Sequence, residues 1–281
     1  MTPLPSSASG TIRKVFFLAV LAVVSLSGRC VVVSDATPPG AAILGYTRAL
    51  ILEQPIADDV TYAKNGPYKW FSGQWYTQYR PSMKHYTSDS GVLAVTLGGD
   101  IVSTPLDFSE GKLPLLSGRT GFYVEFDVRL SDNDPDHWPA VWLMPAEHNA
   151  KKHDHDPVDP PEFQRWVEID VDEGGFGPGL AGTVHCWSGI YPKYQHNWQN
   201  GNNISPKKLD RTKEHSFGAS YAPAQNRVTW WVDGLQQMST ELPCKYAMRH
   251  NFYLIISAQS HGKNMPYSMF IRRVRAFVPS D

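Results

Sequence analysis

Short segments in which apolar and polar residues alternate run along most of this chain. Alternation with a period of two is typical of β-strands, because successive side chains of a strand point to opposite faces of the sheet. Clusters of Gly, Pro, Asn or Asp separate most of the segments. The pattern predicts strands at GVLAVTL (91–97), GFYVEFDVRL (121–130), AVWLMP (140–145), WVEIDVD (166–172), GTVHCW (182–187), HSFGASY (215–221), RVTWWVDG (227–234), FYLIISA (252–258) and MFIRRVRAF (269–277).

No segment longer than about two turns shows a helical period. The chain is therefore predicted to be all-β, a sandwich or a barrel. The strand at GFYVEFDVRL carries apolar side chains from Phe122 onward on one face and Tyr123, Glu125 and Asp127 on the other. This pattern predicts an antiparallel strand with one face in solvent. An open sheet face of this composition is suited to a curved carbohydrate groove.

Composition limits the classes of partner. Apolar residues make up 42% of 281 positions, enough for a sizeable core, and the formal net charge is −1. A chain without a surplus of cations has no basic field that attracts nucleic acid. Nine Trp and thirteen Tyr supply either core or flat surfaces on which a ligand can stack.

The N-terminal residues have the pattern of an export signal. Arg13 and Lys14 precede the apolar run VFFLAVLAVVSLSG, which is short for a membrane span and has the length of a signal-peptide core. We expect residues 1–30 to be a signal peptide, 31–50 a linker or an irregular lead-in, and 51–281 a single catalytic domain. The mature protein is then secreted, periplasmic or extracellular, without stable membrane insertion; a retained anchor and lipidation at Cys30 stay open as alternatives.

Three cysteines fit an exported protein without fixing their state. Cys186 and Cys244 are able to pair in an oxidising compartment, with Cys30 as the odd one. Two unpaired buried thiols are an equal alternative.

The segment WVEIDVDEGG (166–175) places four acids in six positions of a predicted strand. Acids are depleted in strands, and like charges on one face repel. A β-bulge after Asp170 would return Glu173 to the face of Glu168. Two carboxyl groups about 5–5.5 Å apart are what retaining glycoside hydrolysis requires, and Asp170 between them would separate their pKa values. The alternative is a solvated acidic edge strand.

These residues resemble a known family. EIDVDE is similar to the signature Glu-x-Asp-x-x-Glu of glycoside hydrolase family 16, and HWPAVWLMP (137–145), GTVHCW, RVTWWVDG and FYLIISA resemble other strands of that family, over roughly residues 85–277. The resemblance implies a concanavalin A-like β-jelly roll of two curved antiparallel sheets with a concave substrate cleft. It implies Glu168 as nucleophile, Asp170 as assisting acid and Glu173 as acid/base. The bulged spacing is that of laminarinases, agarases and carrageenases.

Five further residues are candidates for substrate binding. Trp166 shares the face of Glu168, and sugar stacking is favoured over core packing. His185, together with Trp187 on the same face, is expected to contact sugar or tune an acid. Trp138 and Trp142 lie four positions apart and share a face on a regular strand, with cleft and core equally open.

The prediction from the sequence is a secreted retaining endo-glycosidase that acts on a polysaccharide, most simply a β-1,3- or mixed-linkage glucan. The alternatives are a β-galactan (agar or carrageenan) hydrolase, a transglycosylase, and a non-catalytic carbohydrate-binding module. We expect a monomer that needs no cofactor and no metal. The structural calcium of many family members is in doubt here, because Arg272 stands where its Asp ligand would be.

Overall fold

The computed structural model describes residues 36–62, 67–74, 80–105, 111–148, 158–174, 180–204, 209–260 and 265–280, the side chains of 180 and 200–204 excepted. The predicted signal peptide, 1–30, lies outside the described residues. Within the described ranges, none of the helices has the length and apolar character needed to span a membrane.

Strands dominate the described residues, as the alternation predicts. Seventeen strands, numbered in chain order, are β1 Arg48–Glu53, β2 Val60–Thr61, β3 Trp70–Ser72, β4 Tyr86–Asp89, β5 Val92–Thr96, β6 Asp100–Val102, β7 Leu116–Ser117, β8 Phe122–Leu130, β9 His137–Pro145, β10 Phe163–Glu173, β11 Leu180–Ile190, β12 Lys193–Ile204, β13 His215–Ala222, β14 Arg227–Val232, β15 Leu235–Glu241, β16 Asn251–Ser260 and β17 Ser268–Val278. The helices are short: α1 Pro39–Ile43, and single 3₁₀ turns at Ala57–Asp59, Met83–His85, Ala146–His148, Pro223–Gln225 and Ala247–Arg249.

The strands form two large sheets. One has eight strands in the order β15-β14-β13-β8-β17-β5-β4, with β1 also paired to β17. The other has nine in the order β12-β11-β10-β9-β16-β6-β3-β2, with β7 also paired to β16. All of these pairs are antiparallel except β2 with β3. The predicted all-β jelly-roll sandwich is confirmed, and every predicted strand is found.

The main core lies between the two sheets. Alternate residues of each strand fill it, for example Val124 and Phe126 of β8 and Val141 and Leu143 of β9, all fully buried. Residues of one parity along a strand share a face, so the same alternation sends the other set outward. A second apolar cluster therefore covers the outer face of the nine-stranded sheet: Phe71, Val102, Ala140, Trp142, Met144, Trp166, Tyr253 and Ile255.

The predicted open groove on β8 is wrong, because its outer face is covered. Tyr123, Glu125 and Asp127 are all buried. The Tyr123 hydroxyl donates to Glu125 Oε2 at 2.7 Å, Glu125 pairs with Arg275, and Arg273 Nε donates to Asp127 at 2.7 Å. Acids paired with arginines in this way can be buried, whereas unpaired acids need solvent.

Residues 36–50, expected to form a linker or an irregular lead-in, supply this cover. Helix α1 contacts β8, and β1 starts at Arg48 and pairs with the end of β17. Ala41 and Tyr46 are buried in one cluster with Tyr123 and Phe277. This segment is therefore packed against the eight-stranded sheet.

A disulfide joins the two sheets. Cys186 lies on β11 of the nine-stranded sheet, and Cys244 follows β15 of the eight-stranded sheet. Their Cα atoms are 6.0 Å apart and their sulfur atoms are bonded. The structure thus selects the paired state from the two alternatives that the sequence leaves open.

Candidate active site

A β-bulge in β10 sets the geometry of the site. Against β9, Asp170 pairs with Trp142 and Asp172 with Val141, so Val171 has no partner of its own. Val171 and Asp172 are both buried toward the sandwich interior, and Glu173 returns to the face that carries Glu168 and Asp170. The predicted bulge is confirmed. We call this outer face of the nine-stranded sheet the site face.

The fourth acid of the motif, Asp172, has a structural partner. Arg211 binds it through both terminal nitrogens, with Nη1 donating to Oδ1 at 3.2 Å, and both side chains are buried. The guanidinium carbon of Arg211 lies 4.5 Å from the ring centre of Phe217 on β13. Burial raises the pKa of Asp172, and the charge of Arg211 opposes that rise. The pair therefore fixes the bulge against the opposite sheet.

Each of the three acids on the site face is hydrogen-bonded to a side chain of a neighbouring strand. Trp138 Nε1 on β9 donates to Glu173 Oε1 at 2.8 Å, and Trp187 Nε1 on β11 donates to Glu168 Oε2 at 3.3 Å. His185 Nε2 lies 3.1 Å from Asp170 Oδ2. These contacts orient the three carboxyl groups, and they give predicted site residues Trp138, Trp187 and His185 definite places beside them.

The electrostatics of the cluster favour bound protons. Desolvation, followed by the charge of Asp170, raises the pKa of Glu168 to about 8. Burial and the charge of Glu173 raise the pKa of Asp170 well above its ordinary value. Desolvation also raises the pKa of Glu173, and the hydrogen bond from Trp138 opposes this. An acid cluster of this kind keeps a proton near neutral pH, which general-acid catalysis needs.

Four rings form a stack across the site face. The centroid distances along His148, Trp166, Trp187 and His196 are 3.7, 5.6 and 3.7 Å, and consecutive planes lie within 10° of parallel. Trp166 is only 7% exposed inside this stack. Its ring therefore serves mainly in packing, which corrects the preference for a sugar-stacking role.

Trp142 belongs to the floor of the site face. It is 8% exposed, and its Nε1 donates to Ser257 Oγ at 3.1 Å. Trp138 and Trp142 do share a face, because the first donates a hydrogen bond to Glu173 and the second pairs with Asp170.

A polar cluster missed by the sequence analysis adjoins Trp142: Gln74, Asp100, Ser257 and Gln259 are joined by hydrogen bonds of 2.7–3.3 Å. These residues come from three separate segments of the chain, and no motif in the sequence marks them.

Strand β12 also contributes side chains that the sequence analysis missed. His196 Nε2 lies 2.7 Å from His185 Nδ1, and its ring stacks on Trp187. Its segment, KYQHNWQN, alternates aromatic with polar residues. Because this segment contains no Val, Ile or Leu, the alternation of aliphatic and polar residues does not predict a strand here. A period-two pattern of aromatic residues is the available signal.

The donors Glu168, Asp170 and His185 lie close enough to hold a cation, with one ligand atom from each within 4.8 Å of the others. Two carboxylates and one imidazole suit several divalent metals. The same three groups also form the hydrogen-bonded acid cluster described above, so the arrangement has a use without a metal.

Comparisons by structure find two glycan-degrading enzymes and one protein described as a pseudo-glucanase. One is a glycoside hydrolase family 16 endo-glucanase from Bacteroides ovatus, with 15% identity, a TM-score of 0.50, and coverage of 76% of this chain and 97% of its own. A porphyranase from Zobellia galactanivorans has 13% identity and a TM-score of 0.52, covering 75% of this chain and 85% of its own. An immunostimulatory antigen of Mycobacterium tuberculosis, described as a pseudo β-1,3-glucanase, has 18% identity and a TM-score of 0.52, covering 83% and 99%.

Comparisons by sequence find nothing: no family model matches the chain, and no curated protein matches it. At such low identity the structural likeness concerns the fold. The chain has the jelly-roll fold of glycoside hydrolase family 16 enzymes, in agreement with the resemblance of its acidic motif.

Proposed function

We propose that this protein is a secreted retaining endo-glycosidase of glycoside hydrolase family 16. One observation carries the proposal: the bulge in β10 holds Glu168, Asp170 and Glu173 on one face of a glycanase fold. A lectin gains nothing from three carboxyl groups that repel one another and raise each other's pKa values. Enzymes accept such a cost where a proton and a nucleophile are needed side by side.

In the reactive form of the acid cluster, the proton is on Glu173 and Glu168 is ionised. In the first step, a carboxylate oxygen of Glu168 attacks the anomeric carbon of a sugar bound on the site face. The glycosidic C–O bond breaks, and Glu173 transfers its proton to the departing oxygen. The product is a glycosyl ester on Glu168. Asp170, whose Oδ2 lies 3.1 Å from His185 Nε2, is next to Glu168 on the site face. Its charge raises the pKa of Glu168 and so influences the charge on Glu168 as the ester forms.

In the second step, Glu173 has become a carboxylate and acts as base. It removes a proton from water, the water oxygen attacks the anomeric carbon, and the bond to Glu168 breaks. Two inversions restore the β configuration. Replacement of water by a sugar hydroxyl would give transglycosylation with the same residues.

The substrate that we favour is a β-1,3- or mixed-linkage glucan, with a β-galactan as second choice. The Bacteroides enzyme of this fold is an endo-glucanase, and the Zobellia enzyme is a porphyranase. The near-zero net charge of the chain gives no special attraction for sulfated polymers. A panel of purified β-glucans and β-galactans, with reducing ends as the readout, separates these substrates, and lack of cleavage of any polymer would leave the non-catalytic sugar-binding module as the better description.

The stereochemical outcome tests the mechanism. NMR of the first-formed product should show the β-anomer, because both steps invert. An initial α product would contradict the role of Glu168 as nucleophile.

Two variants separate the glutamates. Glu173→Ala should accumulate the glycosyl-enzyme from a dinitrophenyl glycoside, whose leaving group needs no proton, and azide should restore turnover with a β-glycosyl azide as product. Glu168→Ala should form no covalent intermediate, and any azide product should be the α-anomer. The same azide product from both variants would show that the roles are assigned wrongly.

A further inference from the structure

Strand β12 forms the edge of the nine-stranded sheet and carries an exposed tryptophan. Trp198 is 52% exposed, in contrast to Trp166 and Trp142 on the same sheet. Within the described part of the chain, no other ring stacks on it, and it belongs to neither of the two apolar clusters of this sheet. A single exposed apolar residue is common on protein surfaces. A role in binding therefore has to be argued from the position of Trp198.

The strand register places Trp198 on the site face. Glu168 of β10 pairs with His185 of β11, and His185 pairs with Trp198 of β12. Directly paired residues of antiparallel strands point to the same face. Glu168, His185 and Trp198 therefore form one row across three strands, and Trp198 stands two strand spacings, about 9.5 Å, from the strand of the candidate nucleophile.

Other rings near the acids are already engaged. Trp166, Trp187 and His196 stack on one another, and Tyr194 lies edge-on to Trp166 at 4.8 Å. An exposed indole face is the kind of surface on which the apolar face of a pyranose ring can lie. Among the tryptophans that the structure describes, Trp198 is the most exposed, at 52%.

We infer that Trp198 is a sugar-binding platform at the β12 rim of the site face, used by a long glycan chain that crosses the strands over Glu168. The inference rests on the proposed function, because it takes the same polysaccharide as its ligand. Trp198 contacts a sugar unit away from the scissile bond. It should therefore strengthen binding of long chains and leave short ligands unaffected.

The test measures binding separately from cleavage. In a Glu168→Gln background, which removes the nucleophile, calorimetry with short and long oligosaccharides cut from the preferred polymer gives the dissociation constants. Trp198→Ala should weaken binding of the long ligands about 3- to 10-fold, the range expected for loss of one aromatic stacking contact. Binding of the short ligands should not change, and Trp198→Tyr should recover part of the loss.

Asn197→Ala is the matched control. Asn197 is exposed on the same strand but pairs with Cys186, whose side chain faces the core, so it lies on the opposite face. Equal losses in the Trp198 and Asn197 variants, or no loss with long ligands, would overturn the inference. A change of oligomeric state without a change in glycan binding would overturn it too, because Trp198 would then belong to a contact between copies.

The two proposals fail in different ways. Cleavage of a polymer by the native protein, with undiminished binding by Trp198→Ala, contradicts the platform alone. Length-dependent loss of binding in a protein that cleaves nothing contradicts the hydrolase alone. No binding by the parent to any ligand of the panel contradicts both.

Discussion

The acid cluster should lower the stability of the protein in a pH-dependent way, and Glu168→Gln tests this. The pKa of Glu168 rises from 4.5 to about 8 on folding, so the folded state holds its proton more tightly than the unfolded state. Stability from this group is therefore complete below about pH 4.5 and is lost as the pH rises through about 8. Glutamine has a similar shape and cannot ionise, so the variant lacks this loss.

The expected size follows from the same pKa. A rise from 4.5 to about 8 corresponds to at most about 5 kcal/mol, at about 1.4 kcal/mol for each pKa unit. Glu168 is partly exposed and shares its repulsion with two other acids, so we reduce this to about 1–2 kcal/mol. Glu168→Gln should thus gain about 1–2 kcal/mol over the native protein at pH 9, and much less at pH 4.

Urea denaturation followed by tryptophan fluorescence, at pH values from 4 to 9, measures the difference. Glu162→Gln, which changes an exposed acid just before β10, is the control and should show no such trend. If the difference in free energy of unfolding between Glu168→Gln and the native protein stays constant over this range, the raised pKa of Glu168 is refuted. A difference that shrinks as the pH rises would mean that the folded protein stabilises the ionised form.

Four further outcomes are expected. Replacing both Cys186 and Cys244 by Ala should lower the free energy of unfolding by about 4 kcal/mol in the loop-entropy model, since the bond joins positions 58 apart; calorimetry that finds no loss would contradict this. Arg211→Met leaves Asp172 buried without its cation and should cost about 3–5 kcal/mol in urea denaturation, with part of the loss recovered by adding Asp172→Asn; equal stability of the single and double variants would contradict the pairing argument. Trp138→Phe removes the donor to Glu173, so the pKa of that acid rises and the alkaline limb of kcat/KM should move up by about one pH unit; a downward shift would place the proton donor elsewhere. Dialysis against EDTA should leave cleavage unchanged, because the proposed steps use only carboxyl groups and water; loss of activity restored by a divalent cation would contradict the expectation that no metal is needed.

Much of the site could be predicted from the sequence because the relevant relations are local. Period-two alternation determines which residues of one strand share a face, and a single inserted residue reverses the parity. The motif EIDVDE therefore predicted the bulge and the return of Glu173 to the side of Glu168, and both are found. The strands themselves follow from the same local pattern.

Only the tertiary structure decided what covers each face, because the covering groups come from distant parts of the chain. Asp172 is paired with Arg211, 39 positions later, and the outer face of β8 is closed by α1 and by Arg275. The pairing of Cys186 with Cys244 and the burial of Trp166 against His148 depend on long-range packing in the same way. Alternation gives the parity of a side chain, but its exposure is decided by whichever segment the fold brings against it.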